Sequence, residues 1–218
     1  MSHRSGPRAE PLMLCIKYMF NLADWISSLN LWLSESPQPS FGVLTYMSRT
    51  QILEELLEQR GLFKLKSLLT DDETVRTMIV APAVFAVVTP PFADTDEGMR
   101  LGELRGWFDA FMEGAEISVS ENPGRKPPET MLARVHPVEA EFWSIRVTDP
   151  EETPGIRSLG AFSAKDEFIA LRWDYRENIE IFDDEVSATI DAWRNLFHSE
   201  VPHDGSNLDA YISYYRVV

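Results

Sequence analysis

Cysteine is nearly missing from the chain: Cys15 is the only one in 218 residues. No internal disulfide can form, which excludes a disulfide-stapled scaffold and makes a reducing compartment, the cytoplasm, the expected location. Long apolar runs are missing too. No stretch reaches the roughly 18–20 apolar residues of a membrane span, so no membrane partner is expected. Pro11–Ala23 comes after Arg4 and Arg8 as a secretory leader would, but Lys17 and Asn21 interrupt it and Asp24 is next, without a small-residue cleavage site. The signatures GxGxxG, GxxxxGK(S/T), HExxH, CxxC and GxSxG are absent, so nucleotide-dependent and thiol-metal chemistry lack local support and no cofactor is expected. Glycine is scarcer than proline, 11 against 14, and the prolines cluster between candidate elements as long, stiff connections.

Positive charge is in short supply, and unevenly so. The net charge is −15; the first 100 residues hold 9 basic and 12 acidic side chains, and the other 118 hold 11 basic against 23 acidic. A balance of −12 in the later part repels polyphosphate, so nucleic acid is not the expected partner, whereas another protein or a second copy of the chain is.

An apolar fraction of 44% permits a packed core. Residues 1–46 read as an N-terminal extension: Leu14, Met19, Leu22, Trp25 and Leu29 give a helix over Leu12–Leu33 with a wide apolar face, and Pro37 and Pro39 prevent it from continuing. Residues 47–218 read as a single α+β domain. Ser48-x-x-Gln51 is a capping box that predicts a helix over 49–59, ended near Gly61. Thr70-x-x-Glu73 repeats that logic and predicts a short helix through Met78, while Val84–Val88 reads as a β-prone run stopped by Pro90 and Pro91. Asp94 or Thr95 caps a helix over 97–113, with Gly114 as its C-terminal stop.

Beyond the turn-rich loop Glu121–Glu129 the period changes. Phe142, Ser144 and Arg146 fall on one face and Trp143, Ile145 and Val147 on the other, as in a strand. Ile156–Phe162 and Phe168–Trp173 continue the pattern across short connections, and short connections require antiparallel neighbours. Asp183 or Asp184 then caps an amphipathic helix whose stripe is Val186, Ile190, Trp193 and Phe197. Tyr211–Val218 reads as a last strand or a docked tail. N-terminal helices, a central antiparallel meander and a C-terminal amphipathic helix make an α+β fold.

Four arginines fall on the predicted sheet or at its end: Arg146, Arg157, Arg172 and Arg176, with Tyr175 beside the last. Guanidinium groups gathered in an acidic domain form an anion site, Arg146 and Arg157 first among them; dispersed, each would pair with acids such as Asp174 or Glu177 on a solvated face. His198, His203 and Asp204 offer imidazole and carboxylate to a metal, but a five-residue spacing across Pro202 does not place two ligands on one helical face, and surface loop residues are the expected outcome. Asp183, Asp184 and Glu185 suit a helix start, where negative charge meets free backbone N–H groups.

The segments Phe142-Trp143-Ser144-Ile145-Arg146, Gly155-Ile156-Arg157 and Phe168-Ile169-Ala170-Leu171, with Tyr175-Arg176, give about residues 97–177 a resemblance to RelE/HigB-type toxins. Those are small ribosome-dependent mRNA endonucleases in which helices precede an antiparallel sheet. The resemblance implies that Arg157, Arg172 or Arg176 stabilises charge on a scissile phosphate and that Tyr175 assists proton transfer. The chain differs from that family in its acidity, its few lysines and its long N-terminal half. The expected function is therefore non-catalytic protein binding or regulation, with a RelE-like endoribonuclease as the alternative.

Overall fold

The structure, a computed structural model, describes residues 47–70, 74–148 and 155–218, which fall within one compact unit, Thr45–Val218. The expected helix over Leu12–Leu33, and the rest of 1–46, lie outside the described residues. In chain order the elements are α1 (Arg49–Glu58), β1 (Phe63–Lys64), β2 (Thr77–Val80), α2 (Pro82–Val88), α3 (Asp96–Met112), β3 (Ile117–Ser120), β4 (Leu132–Arg134), β5 (Phe142–Val147), β6 (Ile156–Ala164), β7 (Glu167–Tyr175), α4 (Phe182–Phe197), α5 (Leu208–Tyr211) and β8 (Tyr215–Val217).

The meander is the centre of the sheet. Strands β5, β6 and β7 pair antiparallel in an order β1-β2-β7-β6-β5-β4-β3-β8. Its flanks are mixed, with β2 running parallel to β7 and β3 parallel to both β4 and β8. One face carries Trp143, Ile145, Val147, Ile156, Phe162 and Phe168, which bury against Val84, Val88, Leu104, Phe108 and Phe111 of α2 and α3. The opposite face is covered by α4: Trp193 meets Phe142 edge-on with ring centroids 6.1 Å apart. Helix α1 packs on the outside of α4. Each large apolar side chain buried in these two layers contributes about 1.5–3 kcal/mol over leaving it in water.

Three local expectations are corrected. The segment expected as a helix from Thr70 through Met78 ends instead in β2, because Met78, Ile79 and Val80 form a continuous apolar run buried on both faces beside β7. The β-prone run Val84–Val88 is helical: Pro82 sits in the first turn, where its missing N–H costs nothing, and Val84 and Val88, one turn apart, both enter the core. Helix α4 is preceded by Ile181 at its cap position, so Asp183 and Asp184 occupy its first turn rather than capping it. The capping box at Ser48 and Gln51 and the Thr95 cap of α3 are present, with Gly114 at φ +81° just after α3.

Two buried arginines tie the layers together. Arg76 donates to the carbonyls of Phe111, Ala115 and Tyr214, each at 3.0 Å, and to that of Ser213, with Asp166 3.5 Å from its Nε. Arg105 pairs with Asp109 at 3.0 Å and donates to the carbonyls of Val88 and Lys66. Both charges sit where an apolar fold tolerates them because their Nη donors meet carbonyls and a carboxylate lies beside each, although Arg76 Nε has no hydrogen-bond partner among the described residues.

Candidate anion-binding site

Register places Arg146 of β5 directly opposite Arg157 of β6. Both lie on the α4 side of the sheet, two residues along from Ser144 and Leu159 and four from Phe142 and Ala161. The apolar stripe of α4 covers the Phe142 end, and the first turn of α4 reaches the arginine row. Lys126, from the loop ahead of β4, marks that meeting: its ammonium lies 5.3 Å from the centroid of the Phe182 ring, and its charge interacts with Arg146, Arg157 and Asp183. Arg176, just past β7, is near enough to act on Arg157. Cations from four segments thus lie near enough to act on one another.

Burial pushes the Arg157 guanidinium down to about 10, with Arg146 and then Arg176 adding to the effect. Arg146 is pushed down by burial, and Lys126 by burial and then by Arg146 and Arg157, with Asp183 opposing. Like charges crowded in a partly dry place disfavour each other's protonated form. Their hydrogen bonds run to backbone oxygens: Arg146 to Pro127 at 2.9 Å, Arg157 to Ile156 at 2.9 Å and Arg176 to Ile179 at 3.0 Å.

Among the described residues the nearby acids have other partners. Asp174 faces Arg157 across the strands, yet its carboxylate accepts from its neighbour Tyr175 N at 2.7 Å and from Asn178 Nδ2 at 3.0 Å. Glu177 is held by Arg100 at 3.1 Å, and Glu185 by Arg172 at 3.0 Å. Among the described residues Arg76, Arg100, Arg105, Arg134, Arg172, Arg194 and Arg216 each sit with a carboxylate. For Arg146, Arg157 and Arg176 none of the described carboxylates forms such a pair. Ser144, buried on the same face, has a hydroxyl with no partner among the described residues.

The expected arginine row is thus split. Arg146, Arg157 and Arg176 come together, whereas Arg172 anchors the start of α4 through Glu185. Tyr175 is on the other face, where its hydroxyl lies 3.4 Å from Glu97 and the Arg100 guanidinium sits 3.9 Å from its ring centroid. Burial, and then Glu97, push that phenol up to about 12. The sheet stands between Tyr175 and Arg157, so the two do not face a common group.

Nor do the histidines gather. His203 has Nε2 2.9 Å from the Ala210 carbonyl oxygen and packs on Tyr211, while His198 is exposed just after the end of α4 and Asp204 is exposed. Among the described residues no group of three or more His, Cys, Asp or Glu is placed to hold a metal ion. Lys126 is the member that strand periodicity could not supply, since it comes from the proline-rich loop; its signal was an Arg-Lys pair set between prolines. No family model, curated protein or solved structure matches the chain. Among the described residues no helix is long and apolar enough to cross a membrane.

Proposed function

We propose that the chain is a binding module that holds an anionic group of a protein partner at the Lys126–Arg146–Arg157–Arg176 cluster. The carrying observation is the cross-strand pair Arg146 and Arg157, partly buried and left with backbone acceptors while Asp174, Glu177 and Glu185 serve other groups. Guanidinium groups gain most from an anion where water is already partly excluded, because screening is weak there. The surrounding charge of −15 supports a protein partner over nucleic acid: a long polyanion is repelled by the rest of the surface, whereas one anionic group on a protein need only meet the cluster.

The test is binding of short anionic peptides to the chain and to an Arg146→Gln/Arg157→Gln variant, by calorimetry at low salt. Binding by the parent chain that is lost in the variant supports the reading; equal binding by both contradicts it. The wide apolar face expected over Leu12–Leu33 supplies a second contact in this proposal, with the partner or with another copy. Light scattering with and without residues 1–46 tests that: association should disappear on truncation, and a monomer in both cases rules the contact out.

A further inference from the structure

Resting on that reading, we propose that the group held at the cluster is a phosphomonoester, carried by a protein side chain, rather than a carboxylate. The case begins with charge. A carboxylate carries one negative charge and is satisfied by a single forked guanidinium. Arg146 and Arg157 are side by side, Arg176 acts on Arg157, and Lys126 interacts with both strand arginines. One carboxylate would leave most of that repulsion in place. A phosphomonoester carries about −1.5 to −2 near neutrality and offers three strong acceptor oxygens, so one group can neutralise several of these cations together.

Direction points the same way. Arg146 and Arg157 come from adjacent strands, Arg176 from the turn after β7 and Lys126 from the loop ahead of β4. Cations drawn from four segments suit a ligand that accepts through several oxygens, as a phosphate does. Part of each arginine is already fixed: bonds from Arg146 to Pro127 and from Arg157 to Ile156 hold one nitrogen each, and among the described residues no other hydrogen bond engages the rest of either fork.

Asp183 sets the limit of the site. It is the described carboxylate that acts on Lys126, and from the first turn of α4 its charge would oppose a dianion bound beside that lysine. Substituting it by Asn should strengthen phosphate binding severalfold, whereas a purely structural cluster would show no such gain. The phosphodiester of a nucleic acid, with a single charge per group and a chain of neighbours repelled by the protein's surface, fits less well.

The experiment is calorimetry on the full chain with four probes: an otherwise uncharged peptide bearing phosphoserine, the same peptide with Glu in its place, the same with Ser, and inorganic phosphate. The phosphoserine peptide should bind at least tenfold more tightly than the Glu peptide. Its affinity should rise with pH through about 6, where the second phosphate proton is lost. Arg157→Lys, which keeps the charge and loses the fork, should weaken it severalfold; Lys126→Gln should weaken it and Asp183→Asn strengthen it. Thermal melts of each variant check folding, and Arg194→Gln, at an exposed pair with Asp191, should bind like the parent. Inorganic phosphate competing fully would place recognition in the phosphate alone, as proposed; a phosphoserine peptide that inorganic phosphate cannot displace contradicts it. Glu and phosphoserine peptides binding equally, both lost in Arg157→Lys, would overturn the phosphate assignment and leave the anion-binding reading standing. Binding of neither, or binding indifferent to Arg157 and Lys126, would overturn both.

Discussion

Arg146 and Arg157 are direct cross-strand partners on β5 and β6, two like charges side by side on one face of the sheet. A like-charged pair opposite one another in a sheet is destabilising. Among the described residues no carboxylate forms an ion pair with either: Asp174, across from Arg157, accepts from Tyr175 N and Asn178 Nδ2, and Glu185 pairs with Arg172. On the proposed function, a bound anion would relieve that repulsion.

Removal of one member should therefore stabilise the free protein. Arg157→Gln is expected to raise the free energy of unfolding by roughly 1 kcal/mol, after allowance for solvent screening, while abolishing anion binding. Urea denaturation of the parent and the variant measures this. A clear loss of stability would show that Arg157 holds the sheet together instead.

Alkaline titration separates two kinds of buried group. Tyr175 and Tyr211 are pushed up to about 12, the first by burial and Glu97 and the second by burial and its hydrogen bond to Glu141. Raised phenols contribute stability that is intact below about 10, the unfolded value, and lost as pH climbs to 12. Arg157 has the opposite sign: pushed down to about 10, it penalises folding below that pH, and the penalty fades above it. Absorbance of ionised tyrosine should keep a component that titrates near 12 and is reduced in Tyr175→Phe and in Tyr211→Phe, and an anion titration should show affinity falling as pH passes 10.

Two glycines hold the meander by close approach. A Cβ at Gly155 would lie 2.3 Å from the Val147 carbonyl oxygen and 3.1 Å from Arg157 Nη1; at Gly160 it would lie 1.9 Å from the Ile169 carbonyl oxygen, beside the register shift between Leu159 and Gly160. Gly160→Ala is expected to cost about 2–4 kcal/mol, as overpacking against backbone does. Gly155→Ala should cost stability and also weaken anion binding through Arg157. Urea melts with parallel binding measurements distinguish the two.

Arg76 behaves unlike the cluster. Arg76→Ala leaves Asp166 and the carbonyls of Phe111, Ala115, Ser213 and Tyr214 without their donor, and is expected to cost about 3–5 kcal/mol. Thermal unfolding checks this, and a variant as stable as the parent would refute the cross-linking role.

The endoribonuclease alternative has its own test. With Tyr175 on the face opposite Arg157, expression of the chain in bacteria should not arrest growth. Growth arrest relieved by Arg157→Ala would revive that reading.

Much of the fold could be read from residue pattern, and the reasons are local. Alternation along Phe142–Val147 and the short Ala164-Lys165-Asp166 connection specify a strand and its neighbour without outside help. The capping box at Ser48 works within a single turn, as does the Thr95 cap. The elements that escaped depend on distant partners. Val84–Val88 has β-branched side chains but becomes a helix because Val84 and Val88 fit the space between α3 and β7. β2, β3 and β4 are short, and β2 pairs in parallel with β7, a segment far away in the chain; β8 falls within the Tyr211–Val218 tail, which reads from its sequence as a last strand or a docked end. The site divides likewise: alternation puts Arg146 and Arg157 on the sheet, but only register makes them opposite, and only the loop ahead of β4 brings Lys126.

The anion site is tested most directly by side-chain NMR, tracking the Nε–Hε resonances of the arginines while inorganic phosphate is added. Arg146, Arg157 and Arg176 should shift together and saturate, while Arg76, Arg172 and Arg194 stay in place. Equal, unsaturating shifts at Arg194 and Arg157, or no shift at Arg146 and Arg157, would contradict the site.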